Sequence, residues 1–191
     1  SSASHVRGYI GQPSREDLSA HPEVRPSDTI GKAGLEIAYN DVLRGGAGKK
    51  LLEVNAVGET LRERFIVKPT PGNDVLLELD SGLQRASAEI LARHLRALGK
   101  KAGAVVVVDP RDGAVRAMAS FPAFDPNIFG SSANRKEIAR LREDPSSPFF
   151  NRVISGGYPS GSTIKPILAG AALEERIIDP ERAIFDPGYI S

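Results

Sequence analysis

The sequence has no cysteine and no tryptophan, a single methionine and three histidines. Without cysteine, disulfide frameworks and thiolate metal sites are excluded within this chain. His5, His21 and His94 are scattered, and no pair has metal-ligand spacing. Charge of one sign is lacking too. Twenty-five Lys and Arg against 24 Asp and Glu leave +1, so no global field recruits nucleic acid or a membrane surface. No apolar run approaches the roughly 20 residues that span a bilayer, and no signal-peptide pattern opens the chain. What is there is ordinary for a soluble globular protein: 191 residues, 40% hydrophobic and 26% charged, enough for one or two domains with real cores. Both ends read as cut, as in a fragment of a longer protein.

Residues 1 to about 75 are rich in Gly, Pro and charge. The spacing of Leu35, Ala38, Tyr39 and Val42 predicts one short helix. Two strands, 51–56 and 60–67, are expected around a turn at 57–59. "KPTPGND" reads as a linker, because two prolines and a glycine continue neither element. Ser81 with Gln84 three residues on is a capping-box signature, and Leu83, Ile90, Leu91, Leu95 and Leu98 mark an amphipathic helix over 81–98 closed by Gly99. A hairpin follows: strand 104–108, a turn at 109–113 using Pro110 and Gly113, strand 114–120. The first of these strands is apolar on both faces, which predicts a sheet covered on two sides. Residues 121–150 are loop-rich, with a polar helix near 135–143 whose charges form a solvated face with i,i+4 support.

Chemistry concentrates in "YPSGSTIKP". A serine hydroxyl is a weak nucleophile until a base takes its proton. Ser162 and Lys165 lie three apart, on one face of a helix start. Ile164, Ile167 and Leu168 can surround the lysine with apolar groups, which favours its neutral, basic form. The Ser162 N–H belongs to the unpaired donors of a helix start and suits an oxyanion. The helix "STIKPILAGAALEE" is apolar on most faces, which predicts burial in a domain centre. On these residues alone the bland reading, a capped helix start and a surface lysine, stays open. A bare Ser-x-x-Lys arises about once by chance in a chain this long.

The wider text resembles class B penicillin-binding proteins. "FNRVISGGYPSGSTIKPILAGAALE" looks like their active-site segment, and Ser-x-x-Lys is their nucleophile motif. "GAVVVVDPRDGAVRAMASFPAFDPNIF" looks like their first hairpin and following loop, and "LELDSGLQRASAEIL" like their first transpeptidase helix. "HVRGYIG", "PSREDL" and "IGKAGLEIAYNDVLRGGAGKKLLEVNAVGE" look like the later part of the non-catalytic pedestal. The Glu-Val-Asn-Ala-x-Gly text and Ile164 are closer to the elongation type, penicillin-binding protein 2, than to the division type. The resemblance implies a mixed α+β fold, with a β-rich pedestal fragment over 1–75 and the N-terminal part of a transpeptidase domain over 76–191. There an antiparallel sheet is covered by helices.

By the same resemblance, Ser162 matches the acylated serine and Lys165 its proton acceptor, in a D,D-transpeptidase that cross-links stem peptides ending in D-Ala-D-Ala and is acylated by β-lactams. A membrane glycan polymerase and elongation-complex proteins are the implied partners, with no nucleic acid. The implied location is the cytoplasmic membrane, the catalytic domain outside and the anchor beyond this stretch. No cofactor and no metal are implied. Ser160 stands where proline is common, and Gly157 sits in a variable turn. The family's Ser-x-Asn and Lys-Thr-Gly do not follow the serine here. Ser132-Ala133-Asn134 and Lys101-Ala102-Gly103 only echo them, and "GGAGKK" fails as a phosphate loop because Leu43 and Lys50 stand at required positions. Gly31, Gly34 and Glu36 match a pedestal motif, with Glu36 expected to brace it through hydrogen bonds. Asp186 lies where some relatives hold a metal and is assigned nothing. Alternatives are a penicillin-recognising sensor or inactive scaffold for a glycan-polymerising partner, and a β-lactamase, which the pedestal text disfavours. If nothing else covers them, the 104–108 strand and the Ser162 helix should lose shelter, and the tail should be loosely ordered.

Overall fold

A computed structural model describes residues 2–130, 132–183, 185 and 188. The chain divides into two units, one up to residue 156 and one from residue 157.

The first unit opens with α1 (Ser4–Arg7), β1 (Ile10–Gly11), α2 (Arg15–Ala20) and β2 (Ile30–Gly31), with β1 and β2 antiparallel. Ser14 and Asp17 cap α2 reciprocally, each side chain accepting the other's backbone N–H. The single helix expected from residue 35 onward is two: α3 (Gly34–Ala38) and α4 (Asn40–Leu43). The break at Tyr39 lets the Asn40 side-chain oxygen accept the Gly31 N–H at 2.9 Å, pinning α4 to β2. α1 crosses the start of α3 so closely that a Cβ on Gly8 would sit 1.7 Å from the Ala33 carbonyl oxygen.

β3 (Lys49–Val54) and β4 (Thr60–Val67) form an antiparallel hairpin. β3 stops short of the expected residue 56 because Asn55 is spent on the turn, its side-chain oxygen accepting from the Val57 and Glu59 N–H groups. Every residue of both strands is exposed. The proline-rich linker does end β4, but it returns: Thr70 and Gly46 exchange both backbone hydrogen bonds.

α5 (Ser81–Ala97) ends at Gly99, whose φ is +63°. Its N-cap is Asp80, not Ser81: the Asp80 carboxylate accepts the Leu83 N–H at 2.7 Å. Gln84 is therefore released from capping and used elsewhere. β5 (Gly103–Val108) and β6 (Val115–Phe121) pair antiparallel as the hairpin expected from sequence. Gly113 takes φ +76° in the turn.

α5 covers one face of the sheet across both strands, while on the other face only the β6 half is covered, where Ser120 is 5% exposed and bonded to the Phe150 carbonyl and the Arg152 N–H. α5 packs against both strands with Ser87 and Leu95 buried, and Leu95 methyls approach Gly103. Ala104, Val106 and Val108 point the other way and are exposed. The helix surface splits likewise, since the expected face carries Leu83, Ile90 and Leu98 on its exposed side. Among the described residues the β5 half of that second face, Ala104, Val106 and Val108, stays open.

Gln84, only 4% exposed, seals the outer edge of β6. Its side chain accepts the Met118 N–H at 2.7 Å and donates to the Met118 carbonyl at 2.8 Å and the Ser2 carbonyl at 2.6 Å. Asp80 N–H donates to the Arg116 carbonyl on the same edge. Beyond β6 come 3₁₀ turns at Pro126–Gly130 and Ser132–Asn134 and the helix α6 (Arg135–Glu143), which buries Leu141. The Glu137–Arg140 ion pair on α6 is i,i+3 rather than i,i+4. An aromatic cluster of His5, Tyr9, Phe124, Phe129 and Phe149 joins the start of the chain to the loops after β6.

The second unit holds a 3₁₀ turn, Gly161–Ile164, running directly into α7 (Lys165–Glu174). The expectation that this helix is buried is not met: no residue of α7 is buried, with Ile167 68% and Leu168 59% exposed. A helix with apolar residues on most faces needs cover all round, and residues 157–183 supply none. Asp186 and most of the tail, with the expectation of loose order there, lie outside the described residues.

Candidate active site

The Ser162 segment is built by local hydrogen bonds. Gly161 takes φ +54°, a conformation that disfavours any side chain. Thr163 donates its backbone N–H to the Ser160 carbonyl, and its hydroxyl donates to the same oxygen. The Lys165 N–H then donates to the Ser162 carbonyl, closing an i,i+3 turn. In such a turn residues three apart eclipse, so Ser162 and Lys165 share one face. Pro166 falls where a helix start needs no N–H.

The two side chains do not bond. Among the described residues neither the Ser162 hydroxyl nor the Lys165 ammonium makes a hydrogen bond or ion pair, and both residues are exposed. The apolar enclosure expected from Ile164, Ile167 and Leu168 is therefore not formed within this unit, because those side chains are themselves exposed. The Ser162 N–H, expected as an oxyanion donor, has no backbone acceptor among the described residues, which leaves it available. Thr163 and Gly161 were not singled out in the sequence. The signal was available in Gly-Ser-Thr, where a φ > 0 residue precedes a hydroxyl that bonds backward.

The echoes of other motifs resolve as structure. Asn134 donates its side-chain amide to the Ile128 carbonyl at 3.0 Å, and Lys101 is an exposed residue before β5. Gly45 and Gly46 turn the chain against Thr70. Gly31 and Gly34 do serve close packing, since a Cβ on Gly31 would lie 1.8 Å from the Glu36 carbonyl oxygen. Glu36 does not brace the motif as expected: among the described residues its carboxylate makes no hydrogen bond, and it is the Glu36 backbone that packs on Gly31. No group of three His, Asp or Glu side chains among the described residues could hold a metal, and no helix among them is long and apolar enough to cross a membrane.

Comparison with known families supplies the class. Residues 1–77 match the family model "Penicillin-binding Protein dimerisation domain" and residues 103–191 match "Penicillin binding protein transpeptidase domain". The chain belongs to the penicillin-binding proteins, with sequence of both domains. Its relatives narrow the type. It is 40% identical to the peptidoglycan D,D-transpeptidase MrdA of Acinetobacter baumannii, over 97% of this chain and 27% of that protein. To MrdA of Escherichia coli K12 it is 37% identical, over 99% of this chain and 30% of that protein. The chain thus spans less than a third of these relatives. Among solved structures, Pseudomonas aeruginosa PBP2 in complex with WCK 5153 superposes with a TM-score of 0.76 at 34% identity, over all of this chain and 37% of that one. Helicobacter pylori PBP2 in complex with MreC superposes at 0.77 and 31% identity, over 99% of this chain and 34% of that one. A peptidoglycan synthase complex that coordinates polymerization and crosslinking superposes at 0.79 and 38% identity, over 93% of this chain and 32% of that one.

Proposed function

We propose that the protein containing this chain is a peptidoglycan D,D-transpeptidase of the penicillin-binding protein 2 type. The observation that carries the reading is Ser-x-x-Lys at a 3₁₀-to-α junction, in a chain 36–40% identical to D,D-transpeptidases over nearly its whole length. Residues 1–75 belong to the pedestal and 76–191 to the transpeptidase domain. Ser162 is the nucleophile and Lys165 its base. A neutral Lys165 amine takes the hydroxyl proton as the Ser162 oxygen attacks the carbonyl of the penultimate D-Ala. The oxyanion forms near the Ser162 N–H. Collapse breaks the peptide bond, and the departing D-Ala amine takes the proton back. An amine from a second stem peptide then attacks the ester, and its proton passes by way of Lys165 to the Ser162 oxygen as that oxygen leaves. A β-lactam acylates the same oxygen by ring opening.

A neutral amine at working pH needs shelter from water, which residues 157–183 do not give Lys165. The chemistry is therefore assigned to the whole protein, in which other segments close over the α7 face. In this reading the whole protein sits at the cytoplasmic membrane with this domain outside, beside a glycan polymerase and elongation-complex proteins; the complexes of its relatives with a peptidoglycan synthase and with MreC support the partners.

Labelling the full-length protein with a fluorescent penicillin tests this. The wild type forms an adduct and Ser162→Ala forms none. The match of residues 1–77 to a dimerisation domain favours a second reading, a penicillin-recognising or inactive homologue whose pedestal holds a polymerising partner. Absence of an adduct on the wild type selects the inactive form. A stable adduct with no cross-linking of a stem-peptide donor selects the sensor.

A further inference from the structure

The segment 144–152 is a tight strap held from two sides. From within, Arg152, 8% exposed, donates to the Ser147 and Phe150 carbonyls at 3.1 and 3.2 Å and to the Ser146 carbonyl. Arg152 has no carboxylate partner among the described residues, so its buried charge is met by backbone carbonyls and by the face of the Phe150 ring, 5.6 Å from the guanidinium carbon. The strap is also strained, since Ser147 holds φ +46° without being glycine. From outside, His5 on α1 reaches across 143 positions of sequence to the Pro148 carbonyl, 2.7 Å from its Nε2. A carbonyl accepts only, so Nε2 carries the proton and Nδ1 is bare in the neutral ring. The ring lies edge-on to Phe124, with centroids 5.1 Å apart. Asn151 returns the contact by donating to the His5 carbonyl at 3.5 Å.

We propose that His5 is a proton-operated latch on this strap: the neutral ring holds the start of the chain to Pro148, and its protonation beside Arg152 lets the strap open. The inference does not depend on the transpeptidase reading. The side-chain charge that bears on the ring is positive, Arg152. The neighbouring elements offer no relief. α3 brings Glu36, whose charge is not among those that bear on the ring; β6 brings Arg116, tied to Glu78 and Asp112; Asp125 bonds Asn127; Asp144 bonds Ser146. A second proton on the ring therefore adds a cation to a half-buried aromatic cluster that already feels the Arg152 charge. Burial, first, and Arg152 both lower the His5 pKa from 6.5, against the raising effect of the Pro148 hydrogen bond. The latch is therefore fully closed above the open-state value and weakens as pH falls below it toward the lowered closed-state value.

Hydrogen exchange of the strap, read by mass spectrometry in the intact protein at pH 7.5 and 5.5 and corrected for intrinsic exchange, tests the latch. With an open-state value of 6.5, the opening constant rises by up to about tenfold over that interval. His5→Gln keeps a neutral N–H for Pro148 and removes the step. His5→Phe, neutral and fitted to the aromatic box, serves if His5→Gln does not fold. His21→Gln and His94→Gln leave the step intact. A strap whose exchange ignores pH, or a step that persists in the His5 variants, overturns the proposal.

Discussion

Gln84→Glu is the sharpest perturbation of the α5–β6 junction. The carboxylate keeps the acceptor for Met118 N–H but turns both donor positions into lone pairs facing the Met118 and Ser2 carbonyls, 2.8 and 2.6 Å away. Two hydrogen bonds are lost and two carbonyls are left opposed, at a site 4% exposed. At about 1–3 kcal/mol for each uncompensated group, the loss at neutral pH is about 2–6 kcal/mol. Protonation restores one donor, so the folded variant favours the neutral carboxylic acid at this position, and the folded-state pKa of that acid rises above the unfolded one. The deficit is therefore full above the folded pKa and shrinks as pH falls through it toward the ordinary glutamic acid value of about 4.3. Gln84→Leu, similar in volume, bares the Met118 N–H as well as the two carbonyls, and gives a pH-independent deficit. Thermal melts followed by circular dichroism, with hydrogen exchange of β6 as the local readout, measure both. A Gln84→Glu variant within about 1 kcal/mol of wild type, or a deficit flat in pH relative to the Gln84→Leu variant, refutes the edge-sealing role.

Three further outcomes are expected. Lys165→Ala in the full-length protein slows acylation by fluorescent penicillin by about 10²- to 10⁴-fold, as loss of a proton acceptor should, without changing the melting temperature by more than a degree or two. Gly31→Ala, whose Cβ would meet the Glu36 carbonyl at 1.8 Å, destabilises by about 3 kcal/mol or more, while Gly130→Ala, with open space around it, stays within about 0.5 kcal/mol in urea titrations. The Asp17 carboxyl is held well below the usual range by hydrogen bonds from Lys32 and Ser14. Its contribution to α2 is present above the ordinary Asp value and fades as pH falls, and Asp17→Asn removes that acid dependence from amide exchange in α2.

Local chemistry was legible in the sequence. The β5–β6 hairpin could be drawn because Pro110 and Gly113 fix its turn, and α6 because its charges are helical. The Ser162 turn could be drawn because serine, lysine and proline stand at helix-start positions. What escaped was long-range. Gln84 was read as half of a local capping box, whereas its partners lie 34 and 82 positions away. His5 was read as one of three unrelated histidines, because only folding brings Pro148 to it. The environment of Lys165 escaped for a different reason. Apolar residues beside a lysine state what could cover it, and cover is made by whatever packs there. The candidate site was thus legible as a pair of residues and illegible as a microenvironment.

Because Gln84 and Asp80 occupy the hydrogen-bonding groups along one border of the β5–β6 ribbon, that border is closed to further strands. Met118 spends its backbone groups outward, so Val106 opposite it must turn its own away from β6 as well. Any added strand can register only beside β5, with its side chains lying level with Val106 and Val108. The ribbon is polar in the sense of a crystal seed: growth proceeds from one flank, and the order of later strands is constrained before any of them arrives.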